Sequence, residues 1–267
     1  MAMLVAVAGL MHAPSPLFGW QCAWSLLAIA ALVSGSSALN MYLERTQDQK
    51  MARTMDRPLP SGRLSAWWGI AVGLCCSLTA IILLYEFTNI LTLFLGLLAF
   101  VMYVFCYTPL KRITWFALIV GSIPGAMPVV LGYISSSNAI DVKAISLFSW
   151  AFLWQVPHFL AISLFREQEY TDAGFPVFSA RFGMDAAKLM LLATSWLLAL
   201  STLGLYFSGI LGITGLVIGL ALGGVFLTTC HRGAFSMPTD RWAKRAFKAS
   251  IFYQGALFVL LILGAVM

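Results

Sequence analysis

Eight apolar runs, each long enough to cross a lipid bilayer, leave this chain few folds to choose from. They cover roughly residues 17 to 39, 64 to 85, 89 to 108, 114 to 134, 144 to 165, 185 to 207, 210 to 229 and 247 to 266. About 20 residues at a rise of 1.5 Å each match a hydrocarbon core about 30 Å thick. Inside that core every backbone N–H and C=O must find its partner within the protein, so runs of this length are helices. With 61% hydrophobic residues, 10% charged residues and a mean hydropathy of +0.90, the composition excludes a soluble domain. The expectation is an all-α fold, a polytopic transmembrane helical bundle, forming a single domain over residues 1–267.

Ahead of the first run, MAMLVAVAGLMHAPSP offers about eleven apolar residues before His12 and a turn at Pro14 and Pro16. That is roughly half a bilayer crossing, so it reads as the second half of a span and raises the expected total to about nine helices, the first cut short. The alternative, a signal peptide, lacks its basic leading stretch.

Charge fixes the orientation. Of the 16 Lys and Arg, all but Lys143 fall in alternate loops, on one side of the predicted bundle. The positive-inside rule makes that side cytoplasmic in a multi-pass protein embedded in membrane lipid. The formal net charge of +6 therefore reports topology, and no nucleic-acid partner is expected. Carboxylates sort the same way, with only Glu86 and Asp141 off the basic side. Since carboxylates contribute little to orientation, their bias calls for another cause. The five cysteines are scattered without metal-ligand spacing and read as packing residues, like the small residues Gly121, Gly125, Gly132, Gly219, Gly223 and Gly224 inside the spans.

That cause lies between the first two long runs, in NMYLERTQDQKMARTMDRPLPSGR, residues 40 to 63. Asn40, Glu44 and Asp48 recur at steps of four, which places them on one helical face. Oxygen donors alone suit a hard cation such as Mg²⁺, which keeps part of its shell for substrate phosphate. Lys50, Arg53 and Arg57 follow as partners for phosphate oxygens. The competing reading is a solvated loop of surface ion pairs. A second segment on the same side, FREQEYTDAGFPVFSARFG (165 to 183), sets Glu169 and Asp172 three residues apart before Gly174 and Pro176. If the bundle joins the two segments, their carboxylates can hold metal on one diphosphate and draw it from an allylic carbon. Upstream, WQVPHF (154 to 159) sets His158 after Pro157 in the last third of a span. A polar side chain at that depth faces the bundle interior, either as a ligand or as hydrogen-bonded structure.

In family order, these stretches resemble the UbiA superfamily of intramembrane prenyltransferases and, within it, the heme O synthases. The resemblance runs from about residue 17 to the C-terminus. It rests on the run from Asn40 to Gly62, on YTPLKR (107 to 112) with GSIPGAMPVVLGY (121 to 133), and on WQVPHF leading into EYTDAGFPV (169 to 177). It implies a UbiA-like bundle whose active site faces the cytoplasm and joins farnesyl diphosphate to a vinyl group of heme B, giving heme O. Asn40, Glu44 and Asp48 would form the first Mg²⁺ and diphosphate cluster, with Glu169 and Asp172 the second. Lys50, Arg53, Arg57, Lys111 and Arg112 would clamp diphosphate. Tyr107, Tyr103 or Trp154 would shelter the allylic cation, and His158 would contact heme. Heme A synthase or oxidase assembly proteins are the implied downstream partners. Three features depart from the family pattern: Glu44 stands where many relatives carry Asp, the second cluster lacks a DxxxD spacing, and the first helix is short. Two rivals remain, a prenyltransferase for an aromatic or quinone precursor and a membrane transporter. WQVPHF argues against the first, and charge confined to one face argues against the second.

Overall fold

The computed structural model describes residues 2–14 and 19–266, and these fold into helices with no strand among them. A short α1 (Ala2–Met11) precedes eight helices of membrane-crossing length. These are α2 (Gly19–Leu43), α3 (Ala66–Phe87), α4 (Ile90–Leu110), α5 (Ala117–Ser137), α6 (Val142–Phe165), α7 (Met184–Phe207), α8 (Ile213–His231) and α9 (Thr239–Val266). The hydropathy runs recover α3 to α8 within about three residues at either end. Pro16, assigned to the turn after α1, and the start of the first predicted run lie outside the described residues.

Both ends of the basic polar face hold surprises for hydropathy. α2 continues to Leu43 and so carries Asn40 out of the apolar layer on a rigid helix. α9 begins at Thr239, well before the expected residue 247, because Trp242, Ala243 and Ala246 remain buried while Arg241, Lys244, Arg245 and Lys248 are exposed. The helix is amphipathic there, and a hydropathy window averages its buried stripe with its basic one.

α5 lies at the centre. Val129, Leu131, Tyr133 and Ile134 are fully enclosed, and α1, α4 and α6 pack around it. α1 approaches α5 so closely that a Cβ on Gly9 would stand 1.9 Å from the Val129 carbonyl oxygen, and one on Gly132 would stand 2.0 Å from that of Ala6. Apolar helices gain little from leaving lipid for one another, so such backbone contact supplies the van der Waals attraction that holds α1 in place. α7, α8 and α9 pack in sequence and return to α6, while α2 and α3 pair on the other flank. Leu74, Leu78 and Ile82 of α3 and Phe94 of α4 remain outward, as a lipid-facing surface requires.

The end opposite the basic face is closed by hydrogen bonds. Asp141 caps α6 by accepting from the Lys143 and Ala144 N–H groups, each at 3.0 Å, and receives the Tyr133 hydroxyl at 2.6 Å. Burial would raise this carboxyl, but those bonds outweigh it and hold Asp141 below its usual range. Nearby His12 is buried, bonds the Leu261 carbonyl at 2.9 Å and is pushed toward its neutral form by desolvation.

Candidate active site

At the basic end, the first polar segment keeps the register its spacing predicts. The Glu44 N–H donates to the Asn40 carbonyl at 2.9 Å, and the Asp48 N–H to the Glu44 carbonyl at 2.8 Å. The i→i+4 ladder thus passes through the break at Glu44 into a short helix, Arg45–Asp48. Asn40 Nδ2 donates to Glu44 at 3.2 Å. Glu44 is 2% exposed and Asp48 4% exposed, which is rare for carboxylates and demands compensating charge.

The compensation comes from beyond α4 for Glu44 and from within the segment for Asp48. Lys111 Nζ lies 3.0 Å from Glu44 Oε1 and 3.1 Å from Oε2, and Arg57 reaches Asp48 Oδ2 at 3.0 Å. Only Oε2 receives a well-aligned hydrogen bond; Oε1 is buried without one. Burial would lower Lys111, but Tyr107, Glu44 and Tyr170 more than reverse this, so it stays above the ordinary lysine value and charged. Thr54 donates to the Asp48 carbonyl at 2.9 Å and Arg112 to the Leu43 carbonyl at the end of α2, fixing the segment from both sides.

α4 makes these contacts by changing its winding. Met102–Tyr107 forms a π-helical turn, which shifts the register of Thr108 and Lys111 relative to an uninterrupted α-helix. The Thr108 hydroxyl sits 2.8 Å from Asn40 Oδ1 and 2.9 Å from the Tyr103 carbonyl. Tyr103 and Tyr107 lie 5.4 Å apart.

The second segment does reach the first, but through apolar groups. Met51, Ala173 and Phe175 form a small buried cluster against Tyr170, and Lys111 stands 4.8 Å over the Phe175 ring. The carboxylates take no part in it. Glu169 is held by Arg166 at 2.7 and 2.8 Å, and exposed Asp172 is paired with Gln168 at 2.8 Å. Lys50 and Arg53 are exposed on the first segment. Among the described residues, no three His, Cys, Asp or Glu side chains stand close enough to hold a metal by themselves. The Asn40, Glu44 and Asp48 oxygens still suit a hard cation, because Glu44 Oε1 is a buried anionic oxygen with unused hydrogen-bonding capacity.

Three cavities lie in this part of the bundle and the core behind it. One of about 80 Å³ is lined by Tyr107, Lys111, Trp115, Phe159 and Tyr170. A second, about 140 Å³, includes Tyr103, Pro124 and Gly125. The third, also about 140 Å³, includes Gly125, Trp154, His158, Phe159 and Gln254. Phe159 is common to the first and third, and Gly125 to the second and third. Trp154 and His158 stack at 4.5 Å, so Trp154 lies with His158 and apart from the Tyr103 and Tyr107 pair. Sequence reasoning missed Thr54, Thr108, Tyr170, Phe175, Ser250 and Gln254. Tyr170 and Phe175 stand inside EYTDAGFPV, Thr54 inside residues 40 to 63 and Thr108 inside YTPLKR, and they were legible there, whereas Ser250 and Gln254 carry no local signal.

A family model for the UbiA prenyltransferase family matches residues 2–253. A protoheme IX farnesyltransferase from Sorangium cellulosum is 41% identical over 92% of this chain and 88% of its own length. Another of that name, from Anaeromyxobacter dehalogenans, is 36% identical over 99% of this chain and 89% of its own. Among solved structures, a UbiA homolog from Archaeoglobus fulgidus bound to DMAPP and Mg²⁺ superposes with a TM-score of 0.73 at 14% identity, covering 100% of this chain and 95% of that one. At that identity the superposition establishes the fold.

Proposed function

The chain belongs to the UbiA prenyltransferase family, and from that premise we propose that it transfers the farnesyl group of farnesyl diphosphate to a vinyl group of heme B within the membrane, making heme O. The names of its relatives support the acceptor. One structural observation carries the chemistry: the buried carboxylates are balanced by cations, and Lys111, the partner of Glu44, lines a cavity that shares Phe159 with the cavity of His158.

Asn40, Glu44 and Asp48 are the residues that would hold Mg²⁺, which supplies positive charge for the departing diphosphate. Lys111 and Arg57, already beside those carboxylates, take diphosphate oxygens, joined by Lys50, Arg53 and Arg112 from the exposed rim. Glu169 and Asp172 join the cluster only by releasing Arg166 and Gln168. As the allylic C–O bond breaks, its electron pair leaves with the diphosphate, and the cation is screened from water against the faces of Tyr107 and Tyr103. The vinyl π electrons form the new C–C bond. The cation left beside the porphyrin ring takes the oxygen of water, which loses a proton to give the hydroxyethyl group. The chain is a multi-pass membrane protein, and the distribution of its basic residues supports a place in the bacterial inner membrane with this face toward the cytoplasm.

The test supplies heme B, farnesyl diphosphate and Mg²⁺ to membranes with and without the protein and resolves the pigments by chromatography and mass. The expected result is heme O formed only with the protein and both substrates. Prenylation of an aromatic acid with heme B left unchanged would overturn the reading.

A further inference from the structure

We propose that Ser250 of α9 fixes the tautomer of His158 so that its Nε2 lone pair binds the iron of a porphyrin, which makes Ser250 a positioning residue. This rests on the reading that the acceptor is heme.

A serine hydroxyl has one proton. Oγ of Ser250 lies 2.7 Å from the Phe247 carbonyl, which can only accept, and 2.8 Å from His158 Nδ1, and we assign its proton to the carbonyl. With its proton committed, Oγ can only accept, so Nδ1 carries the imidazole hydrogen and Nε2 is left with a lone pair. The ring cannot easily turn away. It is stacked on Trp154 at 4.5 Å and flanked by Phe247 at 4.9 Å, and the Trp154 indole N–H is itself tied to the Ser250 carbonyl at 2.7 Å. One residue of α9 thus positions both aromatic groups, through its side chain and its backbone. A histidine with one nitrogen hydrogen-bonded and the other open is how proteins present imidazole to a metal.

The cavity beside it suits a Lewis-acidic guest. Gln155 gives both amide protons to the Ser122 and Ala151 carbonyls, at 3.1 and 3.0 Å, so only its acceptor capacity remains. Gln254 is 3% exposed, and its Oε1 has no hydrogen-bond partner among the described residues. Gly125 and Ala151 are small residues among those that line this cavity. Through Phe159 the same space adjoins the Tyr107 and Lys111 cavity, so an edge of a porphyrin bound here lies next to the site of prenyl release.

The test titrates the purified full chain in lipid nanodiscs, without farnesyl diphosphate, with ferric protoporphyrin IX and separately with metal-free protoporphyrin IX. Wild type is expected to bind the iron porphyrin more tightly and to give the absorption spectrum of an imidazole-ligated heme. His158→Ala should lose that spectrum and regain it with added imidazole. Ser250→Ala should weaken iron-porphyrin binding by about 10-fold while leaving metal-free binding unchanged. Unaltered farnesyl diphosphate binding certifies that each variant is folded. Wild-type spectrum and affinity in both variants, or equal losses for the two porphyrins, overturn the iron contact alone. Failure of wild type to bind either porphyrin overturns the heme reading as well.

Discussion

The two polar segments at the basic end look alike in sequence and differ in what they do with their charge. In residues 40 to 63, Glu44 and Asp48 are buried and each is matched by a cation, Glu44 by distant Lys111 and Asp48 by Arg57 of the same segment. In residues 165 to 183, Glu169 is satisfied within its own short helix and Asp172 faces solvent beside Gln168. Burying a carboxylate costs several kcal/mol unless it is paired, whereas an exposed pair is worth about 1 kcal/mol or less. Only the first segment is therefore held in a state that a metal and a diphosphate would improve. What the second contributes in this state is apolar: Phe175 and Tyr170 close over Lys111 and Met51.

The largest expected effect comes from breaking the first segment. Asp48→Asn keeps the shape and removes the anionic donor, so heme O formation should fall by roughly two to three orders of magnitude while the protein still inserts. Near-normal turnover would remove Asp48 from the site. Lys111→Met leaves Glu44 buried without its cation and should cost roughly 3 kcal/mol in a thermal or denaturant melt. Adding Glu44→Gln should restore much of that loss, and a double variant as unstable as the single would show that Lys111 acts through packing. Arg57→Gln should raise the apparent KM for farnesyl diphosphate about 10-fold and leave that for heme unchanged, and equal shifts in both would signal a folding defect.

The smallest effect expected is a null with pH. Lys111 has its folded value raised, so its pairing contributes fully below the ordinary lysine value of about 10.4 and is lost only as pH climbs through the higher folded one. The KM for farnesyl diphosphate should therefore stay flat from about pH 7 to about pH 10. A rise centred in that interval would mean that Lys111 deprotonates early, against its surroundings.

Much of the scaffold was legible because the bilayer imposes a length and a hydropathy that single residues must obey. The spans, the basic face and the Asn40, Glu44 and Asp48 register all follow from local spacing. The start of α9 did not, since its buried stripe of Trp242, Ala243 and Ala246 is diluted by the basic residues between. The π-helical turn at Met102–Tyr107 has no compositional mark. The partners that decide the site are 67 residues apart for Glu44 and Lys111 and 92 for His158 and Ser250, distances that only the packed bundle closes. For the second segment, the pairs Arg166 with Glu169 and Gln168 with Asp172 stand at helical spacings of three and four, so the local partners that engage its carboxylates were legible in the sequence.

The division of labour between the segments is tested most directly by Mg²⁺ titration in the presence of a non-hydrolysable farnesyl diphosphate analogue, comparing wild type with Asp48→Asn and with the double variant Glu169→Gln, Asp172→Asn. Metal uptake lost in Asp48→Asn and kept within about threefold in the double variant is the predicted result. Uptake kept in Asp48→Asn and lost in the double variant would contradict it.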